Sequence, residues 1–168
     1  MIRLFVVYAL SGFVSLGYQV AWFRIFTDWF GSTNLTFSLV VCNFIGGLGV
    51  GSLLSERLTS WAQRYLGIED RLRLYGALEI AIAITALGTL LVAWMPPDLW
   101  GHFPYHLRDG LWMQDLDYAA SQVAIGGVLV FVPCVLMGVT FPLLCNIFVA
   151  APGASRFPAA LYAWNSLG

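Results

Sequence analysis

The chain has 168 residues, of which 60% are hydrophobic and only 10% are charged. Soluble globular proteins carry roughly 25% charged residues, so this composition excludes an ordinary soluble domain and predicts an integral membrane protein. The net charge of -1, with no basic patch that includes aromatic residues, gives no indication of nucleic-acid binding.

Four apolar segments are long enough to cross a bilayer as helices, which takes about 20 residues each. They cover approximately residues 4–22, 35–54, 74–94 and 123–149, and a fifth apolar segment starts near residue 157. The first segment is too long for a typical signal peptide and no typical cleavage site follows it, so we expect an uncleaved span. The predicted fold class is all-α: a polytopic helix bundle, with residues 1–168 forming a single transmembrane domain.

The distribution of arginine predicts the orientation of this bundle. Six arginines lie before the first span, between spans two and three, or after span four, and two lie on the opposite side: Arg3, Arg57, Arg64, Arg71, Arg73 and Arg156 against Arg24 and Arg108. The positive-inside rule therefore predicts a cytoplasmic N-terminus, and we expect the chain in the bacterial inner membrane. The connection 96–120 would then be extracytoplasmic, and its mixture of aromatic and charged residues predicts one or two short interfacial helices.

The second span contains the glycine-rich stretch GGLGVG at residues 46–51. Gly47 and Gly51 form a GxxxG pair, and Ser11 and Ser15 form a similar pair of small residues in the first span. Such pairs allow transmembrane helices to approach closely, so we interpret them as helix-packing residues. The alternative is that the small residues line a path for a substrate.

Several stretches resemble one membrane family, in the same order and spacing. The most specific are VPCVLMGVTFPLL at 132–144 and LYAWNSLG at 161–168, and further similarity covers 11–26, 31–57 and 73–84. Together they resemble the N-terminal membrane domain of spermidine synthase-like proteins, also described as fused transporter/spermidine synthases. In longer relatives a cytoplasmic aminopropyltransferase-like domain follows. The resemblance thus implies a non-catalytic membrane module that acts as an anchor or scaffold for a soluble domain or a partner.

The sequence contains no catalytic site of the spermidine synthase type. That reaction needs a glycine-rich turn between a strand and a helix, together with acidic residues that hold the amine, whereas the glycines at 46–51 lie within a span. We therefore expect no enzymatic activity unless a soluble domain follows residue 168, and we expect no cofactor. We also expect no metal site, because His102 and His106 have Pro104 between them and lack an obvious third ligand. The three cysteines fall in apolar segments and are interpreted as packing residues.

Glu79 is the acidic residue placed deepest in a predicted span. A carboxylate in hydrocarbon is costly and usually has a partner within the bundle. Tyr75 lies on the same helix face, and Asn43 or Arg57 of the second span are the expected partners. The group is either a polar clamp between helices or a site for a cation or proton. Gln19, near the end of the first span, is a further candidate for this site, or else an interfacial anchor.

Pro133 and Pro142 interrupt the fourth span. Each lacks a backbone N–H and should kink the helix, and the carbonyl groups freed in this way need other donors. Thr140 and Cys134 are the nearest candidates. Broken helices also occur at transporter binding sites, so the kinks are consistent with either packing or ligand binding.

Two further functions fit the sequence. The chain is either an accessory structural subunit of a larger membrane complex or part of a transporter for a polyamine or another small cation. The expected partners are the lipid bilayer, together with other membrane subunits or a C-terminal soluble domain.

Overall fold

The computed structural model describes residues 2–30, 34–93, 105–108, 111–114, 126–149 and 157–167, together with residues 120 and 124. Most of these residues form five α-helices: α1 (Ile2–Phe30), α2 (Asn34–Leu66), α3 (Arg71–Ala93), α4 (Val132–Val149) and α5 (Phe157–Leu167). A π-helical turn, Gly127–Phe131, leads directly into α4. Four helical segments of the described residues are long and apolar enough to cross a membrane. The predicted all-α bundle is confirmed, and the chain is a multi-pass membrane protein.

Two helices extend well beyond the predicted spans. α1 continues to Phe30 and α2 continues to Leu66, whereas the apolar segments end at residues 22 and 54. At about 1.5 Å per residue, the 33 residues of α2 measure about 50 Å, against about 30 Å for the hydrocarbon core. Hydropathy marks only the part of a helix that contacts lipid. The helix itself continues because residues 55–66 contain neither glycine nor proline.

The connection between α2 and α3 is short and built from residues typical of helix ends. Gly67 has φ 64°, a left-handed conformation that glycine adopts at low cost and that commonly terminates a helix. Three residues later, the Asp70 carboxylate oxygen Oδ1 accepts a hydrogen bond from the backbone N–H of Leu72 at 2.9 Å. This contact caps the first turn of α3. The end of α2 and the start of α3 are therefore held at the same end of the bundle.

The connection 96–120 contains two paired β-strands, so the predicted interfacial helices are wrong for the residues that form them. Strand β1 (Tyr105–Arg108) pairs antiparallel with β2 (Leu111–Gln114), and Arg108 is opposite Leu111. This register leaves two residues between the strands, and their sequence, Asp-Gly, is typical of a two-residue hairpin turn. The rest of 96–120, including His102, lies outside the described residues, except for residue 120.

The core of the bundle forms two clusters around α4, which packs against α2, α3 and α5. The cluster nearer the start of α4 contains Trp22, Phe26, Leu39, Val40, Ile82, Ala86, Val130, Cys134 and Met137. The cluster nearer its end contains Tyr8, Ala62, Leu74, Tyr75, Leu143, Leu144, Phe148 and Leu161. Tyr8 therefore shares a cluster with the start of α3, while Trp22 shares one with its middle. α1 and α3 accordingly run in the same direction.

Three glycines bring the backbones of α2 and α4 into contact, and we call this contact the glycine seam. A Cβ atom added to Gly47 would lie 2.5 Å from Cys134 Cβ, and one added to Gly51 would overlap the Val135 carbonyl oxygen. From the opposite helix, a Cβ atom on Gly138 would overlap the Leu48 carbonyl oxygen. No side chain larger than hydrogen fits at these positions without separating the helices. The GxxxG pair thus lies directly on the surface where α2 meets α4.

We expect the substitution Gly51→Ala to destabilise the bundle, because the added methyl group would push α4 away from α2. Gly49→Ala is the matched control, since a Cβ atom there has nothing within 4 Å. Alanine is favoured over glycine within a helix by about 1 kcal/mol, and this contribution is the same for both substitutions. Any difference in stability between the two variants therefore comes from the glycine seam. The thermal unfolding midpoint of the protein in detergent should fall for Gly51→Ala and stay level or rise for Gly49→Ala. Equal shifts would contradict the proposed role of the seam.

Candidate functional site

Glu79 lies inside the bundle, about 12 Å along α3 from its first residue, Arg71. Its side chain is half-buried. The Ser11 hydroxyl of α1 donates a hydrogen bond to the carboxylate, with Oγ 2.9 Å from Oε1 and 3.2 Å from Oε2. Among the described residues, no basic side chain lies within 4 Å of this carboxylate. Within the part of the chain that the structure describes, the site therefore holds an intramembrane acid with one hydroxyl donor and no counter-charge.

The local sequence explains why Ser11 is the partner. α1 and α3 start at the same end of the bundle, and Ser11 and Glu79 are nine and eight residues from their first residues, so they lie at the same depth. Ser15, one turn further along α1, instead donates to the backbone carbonyl of Ser11 at 2.8 Å. Ser11 thus links two helices, whereas Ser15 bonds within its own helix.

The expected partners of Glu79 from the second span are wrong. The Asn43 side-chain amide donates to the Leu39 carbonyl of its own helix at 2.8 Å, and the exposed side chain of Arg57 forms no ion pair with Glu79. Gln19 lies about 12 Å further along α1 than Ser11 and lines a small apolar cavity against α2. The prediction failed because α3 packs beside α1 at this depth. Glu79 therefore faces Ser11 of α1 and not α2. The structure brings together only Glu79 and Tyr75 of the four residues predicted for this site.

Tyr75 adds a second polar group beside the carboxylate. Its side chain is only 4% exposed, and it lies one helical turn before Glu79 on the same face. The hydroxyl lies near Glu79 and Ser11, yet it has no hydrogen-bond partner of accepted geometry among the described residues. Buried hydroxyl groups nearly always have partners, so this hydroxyl can bind the nearby acid or a group outside the described residues.

The carboxylate opens into a groove between α1 and α3, which we call the α1–α3 groove. It has a volume of about 240 Å³ and is otherwise lined mainly by apolar side chains: Val7, Leu10, Val14 and Tyr18 of α1 with Ile82 and Ala83 of α3. A second cavity of about 440 Å³ lies on the other side of α1, against α2, α4 and α5. Ser11 and Ser15 line both. Of these two cavities, Glu79 lines the α1–α3 groove.

Thr89 of α3 donates a hydrogen bond to a backbone carbonyl that lacks its helical donor because of Pro133. Pro133 has no N–H for the Leu129 carbonyl, four residues earlier, and the π-helical turn Gly127–Phe131 precedes it. Thr89 is fully buried, and its Oγ1 donates to that carbonyl at 3.2 Å. Thr140, the donor expected from the sequence, instead bonds the Met137 carbonyl of its own helix at 2.7 Å. The carbonyl freed by Pro133 is therefore satisfied by a neighbouring helix.

Sequence reasoning missed Thr89, although a threonine within an otherwise apolar span is a recognisable donor. A threonine hydroxyl in a helix can donate to a carbonyl of its own helix or to a carbonyl of a neighbouring helix. The position of the threonine in the sequence does not show which of these two hydrogen bonds it forms. Thr85 lies one turn earlier on the same face, and its Oγ1 donates to the carbonyls of Ala81 and Ile82 in α3 itself.

Thr89→Val should destabilise the protein, because it leaves the Leu129 carbonyl without this donor while preserving side-chain shape. The expected cost is about 0.6 kcal/mol and at most about 2 kcal/mol, the range for interhelical hydrogen bonds in membranes. Thr85→Val is the matched control and should cost less, since its hydrogen bonds are local. Reversible unfolding in mixed micelles measures both. The interpretation fails if Thr85→Val costs as much as Thr89→Val.

Ser11→Ala should destabilise the contact between α1 and α3, because it removes the hydroxyl that donates to Glu79. A hydrogen bond to a charged group contributes about 1.5–3 kcal/mol. Ser15→Ala serves as the control, because it removes a hydroxyl that bonds only within α1. In a double-mutant cycle, Ser11→Ala should lose most of its effect in a Glu79→Gln background, whereas Ser15→Ala should not. Additive effects of Ser11→Ala and Glu79→Gln would exclude the coupling.

The described residues contain no group of three or more metal-ligating side chains. Comparison of the chain with protein-family models, with curated proteins and with solved structures gave no match. A function for the chain therefore has to be inferred from the geometry of its own residues.

Proposed function

We propose that this chain is a non-catalytic membrane module of the spermidine synthase-like family, located in the bacterial inner membrane with its N-terminus in the cytoplasm. It acts as a scaffold that pairs with a partner membrane helix and anchors a soluble domain or a larger complex. The family assignment depends on the sequence resemblance at residues 132–144 and 161–168. The observation that carries the scaffold function is the Glu79 carboxylate in the α1–α3 groove.

The charge of Glu79 requires a partner that the described residues do not contain. Moving a carboxylate to the bilayer centre costs at least about 2.5 kcal/mol, and intramembrane acids usually pair with another group. Ser11 donates one hydrogen, shared between two carboxylate oxygens. A transmembrane helix that carries an arginine, a lysine or several hydroxyl groups would complete the pairing from the groove.

The shape of the bundle supports a lateral partner at this position. Only 11% of the most apolar stretch of α1 is buried within the chain, against 50% for the stretch that contains α4. Leu10 and Val14 on the groove wall are 59% and 46% exposed. α1 therefore presents most of its surface to lipid or to another helix, and the half-buried acid lies at the edge of that surface.

A second candidate function is binding of a small cation, including a polyamine, as part of a transporter. The observation that favours it is the buried Tyr75 hydroxyl, which lies near Glu79 without a hydrogen-bond partner among the described residues. A carboxylate and two hydroxyl groups offer only oxygen ligands, which suit hard cations. In this function the ligand, rather than a partner helix, neutralises Glu79.

A photo-crosslinker in the groove tests the scaffold function. The amino acid p-benzoylphenylalanine in place of Leu10 should give a discrete adduct with one membrane protein in the native membrane. The same crosslinker in place of Phe13, which is 65% exposed on α1 and does not line the groove, should give only lipid adducts. Glu79→Gln should reduce the Leu10 adduct by about fivefold or more, the change expected when an interhelical polar contact of about 1 kcal/mol is lost.

Two results would contradict this proposal. Adducts of equal yield from positions 10 and 13 would indicate contact with lipid alone. A Leu10 adduct that persists unchanged in Glu79→Gln would separate the partner from the carboxylate. If no adduct forms but Glu79→Gln abolishes binding of a labelled cation to the purified protein, cation binding replaces the scaffold function.

A further inference from the structure

The last three turns of α2 carry an exposed surface of mixed charge and aromatic character. Arg57, Ser60, Trp61, Arg64 and Tyr65 are spaced i, i+3, i+4, i+7 and i+8, so they share one face of the helix. Trp61 is 52% exposed and Tyr65 is 69% exposed. Their ring centroids are 5.8 Å apart. We call these five residues the α2 end surface.

The orientation of this surface is fixed by the opposite face of the same helix. Ser55 and Ala62 are each only 4% exposed. Ala62 packs in the core cluster with Leu74 of α3 and Leu144 of α4. Because α2 is anchored on that side, Trp61 and both arginines cannot rotate into the bundle.

The depth of the surface matches the layer of lipid headgroups. The apolar part of α2 ends at Leu54, and Glu56 is the first charged residue after it. At about 1.5 Å per residue, Trp61 lies about 8 Å and Arg64 about 12 Å beyond Glu56 along the axis of α2. The headgroup layer extends about 5–8 Å beyond the hydrocarbon on each side. Ala62, next to Trp61, packs with Leu74 near the start of the apolar part of α3, so this surface lies at the membrane boundary and its long arginine side chains can reach the headgroups.

The two arginines are available for an anion. Among the described residues, no carboxylate lies within 4 Å of the Arg57 or Arg64 guanidinium. Glu56 is the only acid that lines the same open groove, whose volume is about 630 Å³. The groove therefore presents two positive charges, one negative charge and two aromatic rings.

We propose that the α2 end surface binds the headgroup phosphate of an anionic phospholipid in the cytoplasmic leaflet. Arg57 and Arg64 donate charge-assisted hydrogen bonds to the phosphate oxygens, since a guanidinium pairs with phosphate in a bidentate manner. Trp61 lies on the membrane side of Arg64, where amphipathic rings are favoured, and its ring packs against that of Tyr65. The bound lipid fixes the height of α2 in the membrane.

The position of the aromatic rings favours a lipid over an acidic soluble protein. A soluble partner would approach from the water beyond the headgroups. Trp61, however, is on the membrane side of Arg64, one turn closer to the apolar part of α2. Anionic lipids are also present at high local concentration beside a cytoplasmic helix end, and they attract arginine electrostatically.

Native mass spectrometry can test this site. The purified chain, reconstituted with equal amounts of phosphatidylglycerol and phosphatidylcholine of identical acyl chains, should retain phosphatidylglycerol preferentially. Arg57→Gln and Arg64→Gln should each reduce the ratio of the two retained lipids by about fivefold, the contribution expected for one basic residue near an anionic surface. Arg57→Lys with Arg64→Lys should keep much of the preference, because the charge remains.

Arg24→Gln is the matched control, because Arg24 is exposed on α1 about 33 Å from its start, at the other end of the bundle. It should leave the lipid ratio unchanged. All three positions are exposed on the surface of the bundle, and the thermal midpoint of each variant confirms its folding. A ratio near one for the unchanged chain would overturn the proposal. An equal loss of phosphatidylglycerol preference in Arg24→Gln would also overturn it. So would an acidic peptide that binds to Arg57 and Arg64 while the lipid ratio stays the same.

Discussion

Direct contact between the backbones of α2 and α4 is the constraint on which the rest of this bundle depends. Apolar side chains gain little from leaving lipid, so transmembrane helices associate where short contacts add dispersion energy and interhelical hydrogen bonds. Gly47 and Gly51 provide such contacts on α2, and Gly138 provides them on α4. The seam also sets the rotation of α2. Ser55 follows Gly51 by one turn on the same face and is buried, so the arginines of the helix end face outward.

The position of α4 in turn determines where α3 and its carboxylate lie. Pro133 frees the Leu129 carbonyl at the start of α4, and Thr89 of α3 donates to it. This hydrogen bond ties α3 to the side of α4 that α2 does not occupy. α3 therefore contacts α1 across Glu79 and Ser11, while Asn43 of α2 bonds within its own helix. The kink and the intramembrane acid are thus parts of one arrangement of helices.

The sequence was sufficient for the fold class but not for the pairing of residues. Long apolar segments with small residues determine that helices form and that Gly51 lies at a contact. α3 is apolar on nearly every face, so its periodicity did not reveal which side of Glu79 meets another helix. Hydropathy could not place the end of α2 at Leu66, because a helix continues after it leaves lipid. The hairpin was indicated by Asp-Gly at 109–110, but the surrounding aromatic and charged residues favoured an interfacial helix.

The two interpretations of Glu79, a clamp between helices and a functional site, differ in how many donors the carboxylate needs. An ionised carboxylate offers about four acceptor positions, and Ser11 provides one hydrogen. Ser11 alone therefore leaves most of the acceptor positions of the carboxylate without a donor. The remaining donors must come from Tyr75 and from whatever fills the α1–α3 groove. The contact with Ser11 thus joins α1 to α3, while the groove side of the same carboxylate is the position from which a partner would supply the missing donors.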